Sequence, residues 1–155
     1  MLTQKEAAEL VKQCYEKADF SEMFPVMEKD YEHISFWVLE VLHSKEAAIE
    51  YYTGKGEAIR EAPAEEHITG KLVRITNAPD KVRPKGLYRG GVRMLEDPAF
   101  LHRQDTGKIA ALMKQYSSHD KEDVFTLAIP TVSENGLLKQ VLIANPCFYQ
   151  WEDME

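Results

Sequence analysis

Two side chains in this sequence have the chemistry and the apolar surroundings needed to transfer a proton. Tyr15 follows Val11 at helical spacing on an apolar helix face, and His33 lies two residues after Tyr31 in a strand-like run. A phenol donates a hydrogen bond and an imidazole titrates near neutral pH, so both groups suit general acid–base chemistry. Tyr15 and His33 are therefore the candidate catalytic residues. Tyr15 also has a structural explanation, because buried tyrosines commonly bond a backbone carbonyl in a protein core.

The other reactive residues indicate neither a metal site nor a phosphate-binding loop. The five histidines lack the HxxxH and HExxH spacings, no CxxC pair occurs, and TGKG at 53–56 is not GxxxxGK[ST]. No GxSxG sequence marks a hydrolase nucleophile. We expect no metal and no cofactor. Cys14 and Cys147 are far apart in a chain that we expect to remain in the cytoplasm, and both are predicted to be buried reduced thiols.

Length and charge limit the remaining classes of function. With 155 residues, 44% of them hydrophobic, the sequence fits a single domain over residues 1–155. A net charge of −7 counts against nucleic acid as a partner. Residues 67–108 carry nine basic and four acidic side chains, which form either an anion site or, as we favour, a solvated hairpin. No run approaches the ~20 apolar residues of a membrane helix, and the first residues do not resemble a signal peptide, so we expect a cytoplasmic protein without membrane contact.

The elements that position these residues follow from local signals. Thr3 and Glu6 form a capping box for an amphipathic helix over residues 3–17, and Asp19 caps a short second helical piece. The aromatic and β-branched run at 31–38 predicts a strand, and Ser44 caps a long third helix. Further strand-like runs lie at 67–76, 87–95, 108–117, 123–132 and 137–145.

The order of these elements predicts the fold class. Asn135 and Gly136 predict a hairpin between the last two strands, and Pro130 predicts a bulge or an edge. Helices followed by a succession of strands indicate an α+β fold with an antiparallel sheet.

Three segments resemble the nuclear-transport-factor-2-like, or SnoaL-like, superfamily. They are ELVKQCYEKADFSEMFPVMEKD, SKEAAIEYY and SENGLLKQV, and the run SFWVLEVLHSKEAAIEYYTGKG also resembles a bacterial subgroup of uncharacterised members. The resemblance implies a cone-shaped, curved antiparallel sheet packed against three N-terminal helices, a roll also called cystatin-like. It further implies an apolar cavity and a homodimer.

The catalytic acids of the superfamily's ketosteroid isomerases are missing from the matching positions. The resemblance places their tyrosine at Tyr15, but their aspartate base falls at Phe36 and their second acid near Ala128, with no carboxylate within two residues of either. Arg93 matches the cation of limonene epoxide hydrolase without two carboxylates to accompany it. Ketosteroid-isomerase chemistry is therefore not expected.

The expected function is binding of a small, mainly apolar or cyclic molecule inside the cone. The expected ligand-binding residues are Tyr15, Phe24, Ile34, Phe36, Trp37, Tyr52, Met113 and Tyr116, with Ser35, Tyr51 and His102 as further polar candidates. Strand alternation alone does not say which face points inward. The resemblance turns Ile34 and Phe36 inward and leaves His33 and Trp37 at a subunit interface or under a loop. Two alternatives remain open: an isomerase, dehydratase or cyclase that uses Tyr15 with His33, and a protein-interaction module with a filled cone.

Overall fold

A computed structural model of the chain describes residues 1–35, 40–78 and 104–154. Across these ranges one curved sheet of seven strands packs against helices. The helices are α1 (Gln4–Lys17), α2 (Lys45–Glu61) and three short 3-10 helices at Ser21–Val26, Ala64–Glu66 and Pro146–Phe148. The strands are β1 (Met27–Ser35), β2 (Glu40–Leu42), β3 (Thr69–Asn77), β4 (Ile109–Ser117), β5 (Glu122–Val132), β6 (Leu138–Ala144) and β7 (Gln150–Asp153). Their order in the sheet is β2-β1-β6-β5-β4-β3-β7.

The predicted helix starts are confirmed. The Thr3 hydroxyl accepts from the Glu6 backbone N–H while the Glu6 carboxylate accepts from that of Thr3, so two otherwise unpaired donors are satisfied. Ser44 caps α2 by accepting from Ala47 N–H. The prediction that Asp19 caps the second helical piece is wrong in position: Asp19 accepts from the backbone N–H of Ser21, but the piece is a 3-10 helix whose N-cap is Phe20, without a side-chain cap.

The predicted α+β class is confirmed, but the sheet differs from the prediction in one pairing and in two additional strands. β1 and β6 pair in parallel, which the expectation of an antiparallel sheet missed, whereas the other neighbouring strands are antiparallel. The short strands β2 and β7 were not predicted.

The predicted strand at 87–95 lies outside the described residues, as do Arg93 and most of the basic segment. No helix in the described ranges is long and apolar enough to cross a membrane.

Side chains alternate between two apolar clusters on opposite faces of the sheet. One face, with Tyr31 and Met113, packs against α1 and α2. The other face carries Ile34, Leu112 and Tyr149. The expectation that Ile34 points toward the helices is wrong, because β1 turns Tyr31, and with it His33 and Ser35, to that side.

The closing hairpin is confirmed, and it shows how a proline fits an interior strand. Gly136 has a φ of 74° and donates its N–H to the carbonyl of Ser133. Pro130 lies in β5, between β4 and β6, so the alternative of an edge strand is wrong. The register shifts directly afterwards, between Thr131 and Val132, which confirms the bulge.

Both cysteines are free thiols, as predicted, but only one is buried. Cys14 lies on the buried face of α1, where burial raises the pKa of its thiol to about 12. Cys147 is exposed, so the prediction of two buried thiols is wrong for this residue. The short turn of Pro146–Phe148 carries it on the surface.

The two long helices meet where α1 ends. Ala18 ends α1 in the left-handed conformation, with a φ of 55°, and its carbonyl accepts a hydrogen bond from the guanidinium of Arg60 on α2. A Cβ atom at Gly56 would lie 2.8 Å from that carbonyl oxygen. Gly56 therefore allows the close approach of α2 to this turn. A Cβ at Gly54 would meet nothing within 4 Å.

We predict opposite effects on stability from alanine at these two glycines. Gly54→Ala is expected to raise the free energy of unfolding by about 0.5–1 kcal/mol, because alanine loses less backbone entropy in a helix. Gly56→Ala is expected to lower it by about 1–3 kcal/mol, because the Ala18 backbone must move. Urea unfolding of both variants tests this, and equal stabilisation by both would contradict the close packing at Gly56.

A second prediction concerns Gln4, whose side chain joins α1 to two strands. Its amide nitrogen donates to the carbonyls of Ile109, at 2.6 Å, and Pro130, at 3.1 Å, and its oxygen accepts from Ile109 N–H at 2.6 Å. Gln4→Ala leaves these partly buried backbone groups unpaired, so we expect a loss of about 1–3 kcal/mol in unfolding free energy. Lys5→Ala, at the exposed neighbouring position, is the control and should change stability by less than about 0.5 kcal/mol.

Candidate functional site

A cavity of about 200 Å³ lies between the helices and the sheet. Tyr15 of α1 and Tyr51 and Lys55 of α2 border it on the helical side. The remaining described residues around it are Ser35, Ile68, Met113, Gln115, Val124, Thr126 and Ile143. Lys55 is the single charged residue among the described lining residues.

Three hydroxyl groups of the cavity wall are available to a ligand. The side-chain oxygens of Tyr15, Ser35 and Thr126 make no hydrogen bond to the part of the chain that is described. Burial raises the pKa of Tyr15 well above its usual value, so its phenol is protonated and can donate. Gln115, in contrast, already donates its side-chain amide to the carbonyl of Glu66 at 3.0 Å. The wall therefore combines apolar surface with three unused hydroxyls.

Lys55 brings an ammonium group to the same cavity. Its side chain is partly buried, and burial lowers its pKa. Among the side chains that the structure describes, no carboxylate lies within 4.0 Å of its Nζ atom. Because a charged group that loses water without gaining a partner is destabilised, this ammonium favours the approach of an anion.

A buried hydrogen-bonded chain of three side chains lies next to the cavity. The hydroxyls of Tyr31 and Tyr52 are 2.6 Å apart, and His33 Nδ1 is 2.8 Å from the Tyr52 hydroxyl. The His33 ring packs on Tyr51, a lining residue, with 4.5 Å between ring centroids. Burial raises the pKa of both Tyr31 and Tyr52, so their phenols remain protonated. These contacts hold α2 on β1.

His33 is neutral in this environment. Burial, and next the positive charge of Lys55, lower its pKa to about 4. Its second ring nitrogen, Nε2, is buried and has no hydrogen-bond partner within the described ranges. The expectation that His33 lies at a subunit interface or under a loop is wrong, because α2 covers it. Its only hydrogen bond to a described residue is to Tyr52, so it forms no acid–base pair with Tyr15.

The predicted ligand-binding residues are distributed over several places. Tyr15 and Met113 line the cavity, whereas Tyr52 is buried in the adjacent hydrogen-bonded chain. Phe24 packs against the core beside the helices and is not among the lining residues. Ile34 lies on the opposite face, and alternation along β4 turns Tyr116 the same way. Phe36, Trp37 and His102 lie outside the described residues.

Lys55 and Thr126 line the cavity but were not among the candidates. For Lys55 a signal existed, because it follows Tyr51 by four residues and therefore shares its helix face. Thr126 carries no such signal, since its direction depends on the register of β5. No group of three metal-ligating side chains occurs among the residues that the structure describes.

We predict that the lowered pKa of His33 makes stability depend on pH. An imidazole in the unfolded chain binds a proton near pH 6.5, whereas in the folded protein His33 binds one only near pH 4. The unfolded state therefore binds more protons between these values. The stability linked to the neutral His33 is fully present above pH 6.5. As the pH falls from 6.5 to 4, the free energy of unfolding decreases by about 3 kcal/mol.

Urea unfolding of the wild type and of His33→Gln across this pH range isolates the effect. Glutamine does not titrate and can still bond Tyr52, so carboxylate titration contributes similarly in both proteins. The wild type should lose more stability than the variant. Parallel losses would contradict a neutral, buried His33.

Comparison with known proteins identifies the fold. No family model and no curated protein matches the sequence. Of the solved structures, Rd1NTF2_04 with long sheet superposes with a TM-score of 0.51 at 9% identity over 92% of this chain and 100% of that one. A nuclear-transport-factor-2-like protein of unknown function from Exiguobacterium sp. 255-15 gives 0.47 at 8% identity, over 98% and 100%. A computationally designed 17-OHP binder gives 0.46 at 14% identity, over 94% and 95%. The superposition on Rd1NTF2_04 shows that the chain has the nuclear-transport-factor-2-like fold, which is the fold that the resemblance in its sequence implies.

Proposed function

We propose that this protein binds a small, mainly apolar molecule in the cavity between α1, α2 and the sheet. The observation that carries the proposal is an interior space with apolar walls in which the hydroxyls of Tyr15, Ser35 and Thr126 bond no group of the residues that the structure describes. Sites for small molecules commonly combine an apolar lining with a few polar groups that fix orientation. Tyr15, being protonated, is the orienting donor.

The size of the cavity limits the ligand. A space of about 200 Å³ holds on the order of ten non-hydrogen atoms at the packing density of protein interiors. Burying about 150 Å² of apolar ligand surface contributes about 4 kcal/mol. The loss of translational freedom offsets part of this gain, so micromolar to millimolar dissociation constants are expected.

The two alternative functions have less support. An interaction module with a filled cone does not account for the open space or for its unpaired hydroxyls. An acid–base enzyme that couples Tyr15 to His33 lacks the required contact, because His33 bonds Tyr52. The raised pKa of Tyr15 also keeps it from acting as a base near neutral pH.

Filling the cavity should abolish binding. Val124→Phe places a larger side chain into the space, whereas Phe125→Leu alters the next residue, whose side chain alternates to the other face. We expect neutral ring compounds of about ten non-hydrogen atoms to raise the melting temperature of the wild type and of Phe125→Leu, but not of Val124→Phe. If no ring compound of this size, neutral or acidic, stabilises the wild type, the proposed function is wrong.

Native mass spectrometry of the gently purified protein tests the function independently. A small molecule retained by the protein, then released and identified under denaturing conditions, would support the proposal. The same spectrum reports the number of subunits. We propose a homodimer, following the resemblance, and a monomeric mass at micromolar concentration would contradict it.

A further inference from the structure

We propose that the natural ligand is a small monocarboxylic acid, whose carboxylate pairs with Lys55 while its apolar body fills the cavity. This inference rests on the proposed function and names the chemical class of its ligand. Three observations support it: an ammonium without a carboxylate partner in the described ranges, hydroxyls that bond no described group, and the absence of acidic side chains among the described lining residues.

The ammonium of Lys55 has no carboxylate within 4.0 Å among the side chains that the structure describes. Lysines whose side chains are partly withdrawn from water usually pair with a carboxylate, as Lys12 does with Glu16 at 2.8 Å. Lys55 has no such partner among the described residues, although Glu50 and Gly54 border the neighbouring surface groove with it. A bound carboxylate would supply the missing negative charge in a partly dehydrated place, where the attraction is stronger than in bulk water.

The charge of the lining differs from that of the chain. The sequence has 26 acidic and 19 basic residues, yet the ten described lining residues include one cation and no acid. A wall of this composition attracts an anion locally, although the net charge of the chain is −7. With a single cation, it matches a ligand of charge −1 better than a phosphate ester, which carries nearly −2 at neutral pH.

The hydroxyls complement the same group. A carboxylate accepts several hydrogen bonds, and those donated to a charged oxygen are about twice as strong as neutral ones. Ser35 and Tyr15 approach the cavity from the sheet and from α1, and neither hydroxyl donates to a described protein group. The apolar side chains of Ile68, Met113 and Ile143 are left to contact the body of the acid.

The first experiment needs no variant. Phenylacetate and phenylacetamide have the same shape and about ten non-hydrogen atoms each, and they differ in the charge of one group. Titration calorimetry on the wild type should give at least about tenfold tighter binding of the acid. Equal affinities would overturn the carboxylate inference while leaving the cavity function intact. Binding of neither, together with no response to the neutral panel above, would overturn the proposed function itself.

Lys55→Met then tests the partner. Methionine keeps much of the length of the side chain without its charge, and Lys45→Met removes a charge from the same helix at a residue that does not line the cavity. We expect Lys55→Met to weaken phenylacetate binding at least about tenfold and to leave phenylacetamide unaffected, with Lys45→Met like the wild type. Unchanged acid affinity in Lys55→Met would overturn the inference, and Lys55→Gln replaces it should the methionine variant not fold.

Discussion

The hydrogen bonds that join His33, Tyr52 and Tyr31 determine how the helical layer lies on the sheet. All three side chains are buried, with oxygen–oxygen and oxygen–nitrogen distances of 2.6 and 2.8 Å, and these bonds satisfy two phenols and one ring nitrogen that burial would otherwise leave without partners. The chain therefore requires the odd-numbered residues of β1 to face α2. That choice brings Ser35 to the cavity wall and sends Ile34 to the other face. A one-residue change of register would reverse both.

The space above the sheet exists because α1 and α2 are each fixed at other points. Gln4 attaches the start of α1 to β4 and β5, and the turn at Ala18 packs directly on Gly56 of α2. With both helices fixed and the hydrogen-bonded chain filling one side, the packing leaves room between Tyr15 and the sheet. The cavity therefore results from contacts made around it. Because these contacts fix the backbone of both helices, the cavity is present before any ligand binds.

Local signals in the sequence predicted local structure well. The capping box at Thr3, the cap at Ser44 and the hairpin at Gly136 each depend on a few neighbouring residues, and all three are confirmed. The face of β1, its parallel pairing with β6 and the exposure of Cys147 depend on residues far apart in the chain. Alternation defines two faces without saying which is covered, so Ile34 was assigned to the wrong side. Of the site, Tyr15 and Met113 were predicted. Lys55 was not, because its spacing from Tyr51 indicates a shared helix face without indicating that this face borders a cavity.

The polar groups left unpaired around the cavity are difficult to explain by folding alone. Buried or half-buried polar atoms without partners lower stability, and native proteins keep few of them. Here the His33 Nε2 atom is buried without a partner in the described ranges, and the Lys55 ammonium and the Tyr15 and Ser35 hydroxyls, at the nearby cavity wall, form no bond to the described part of the chain. Apolar side chains at these positions would fold at less cost. Departures from the rules of stable packing concentrate at functional sites. A ligand that bonds these groups supplies the hydrogen bonds and the counter-charge that they lack, and it thereby stabilises the folded protein. Lys55 differs in this respect from exposed lysines, because water hydrates their ammonium groups fully.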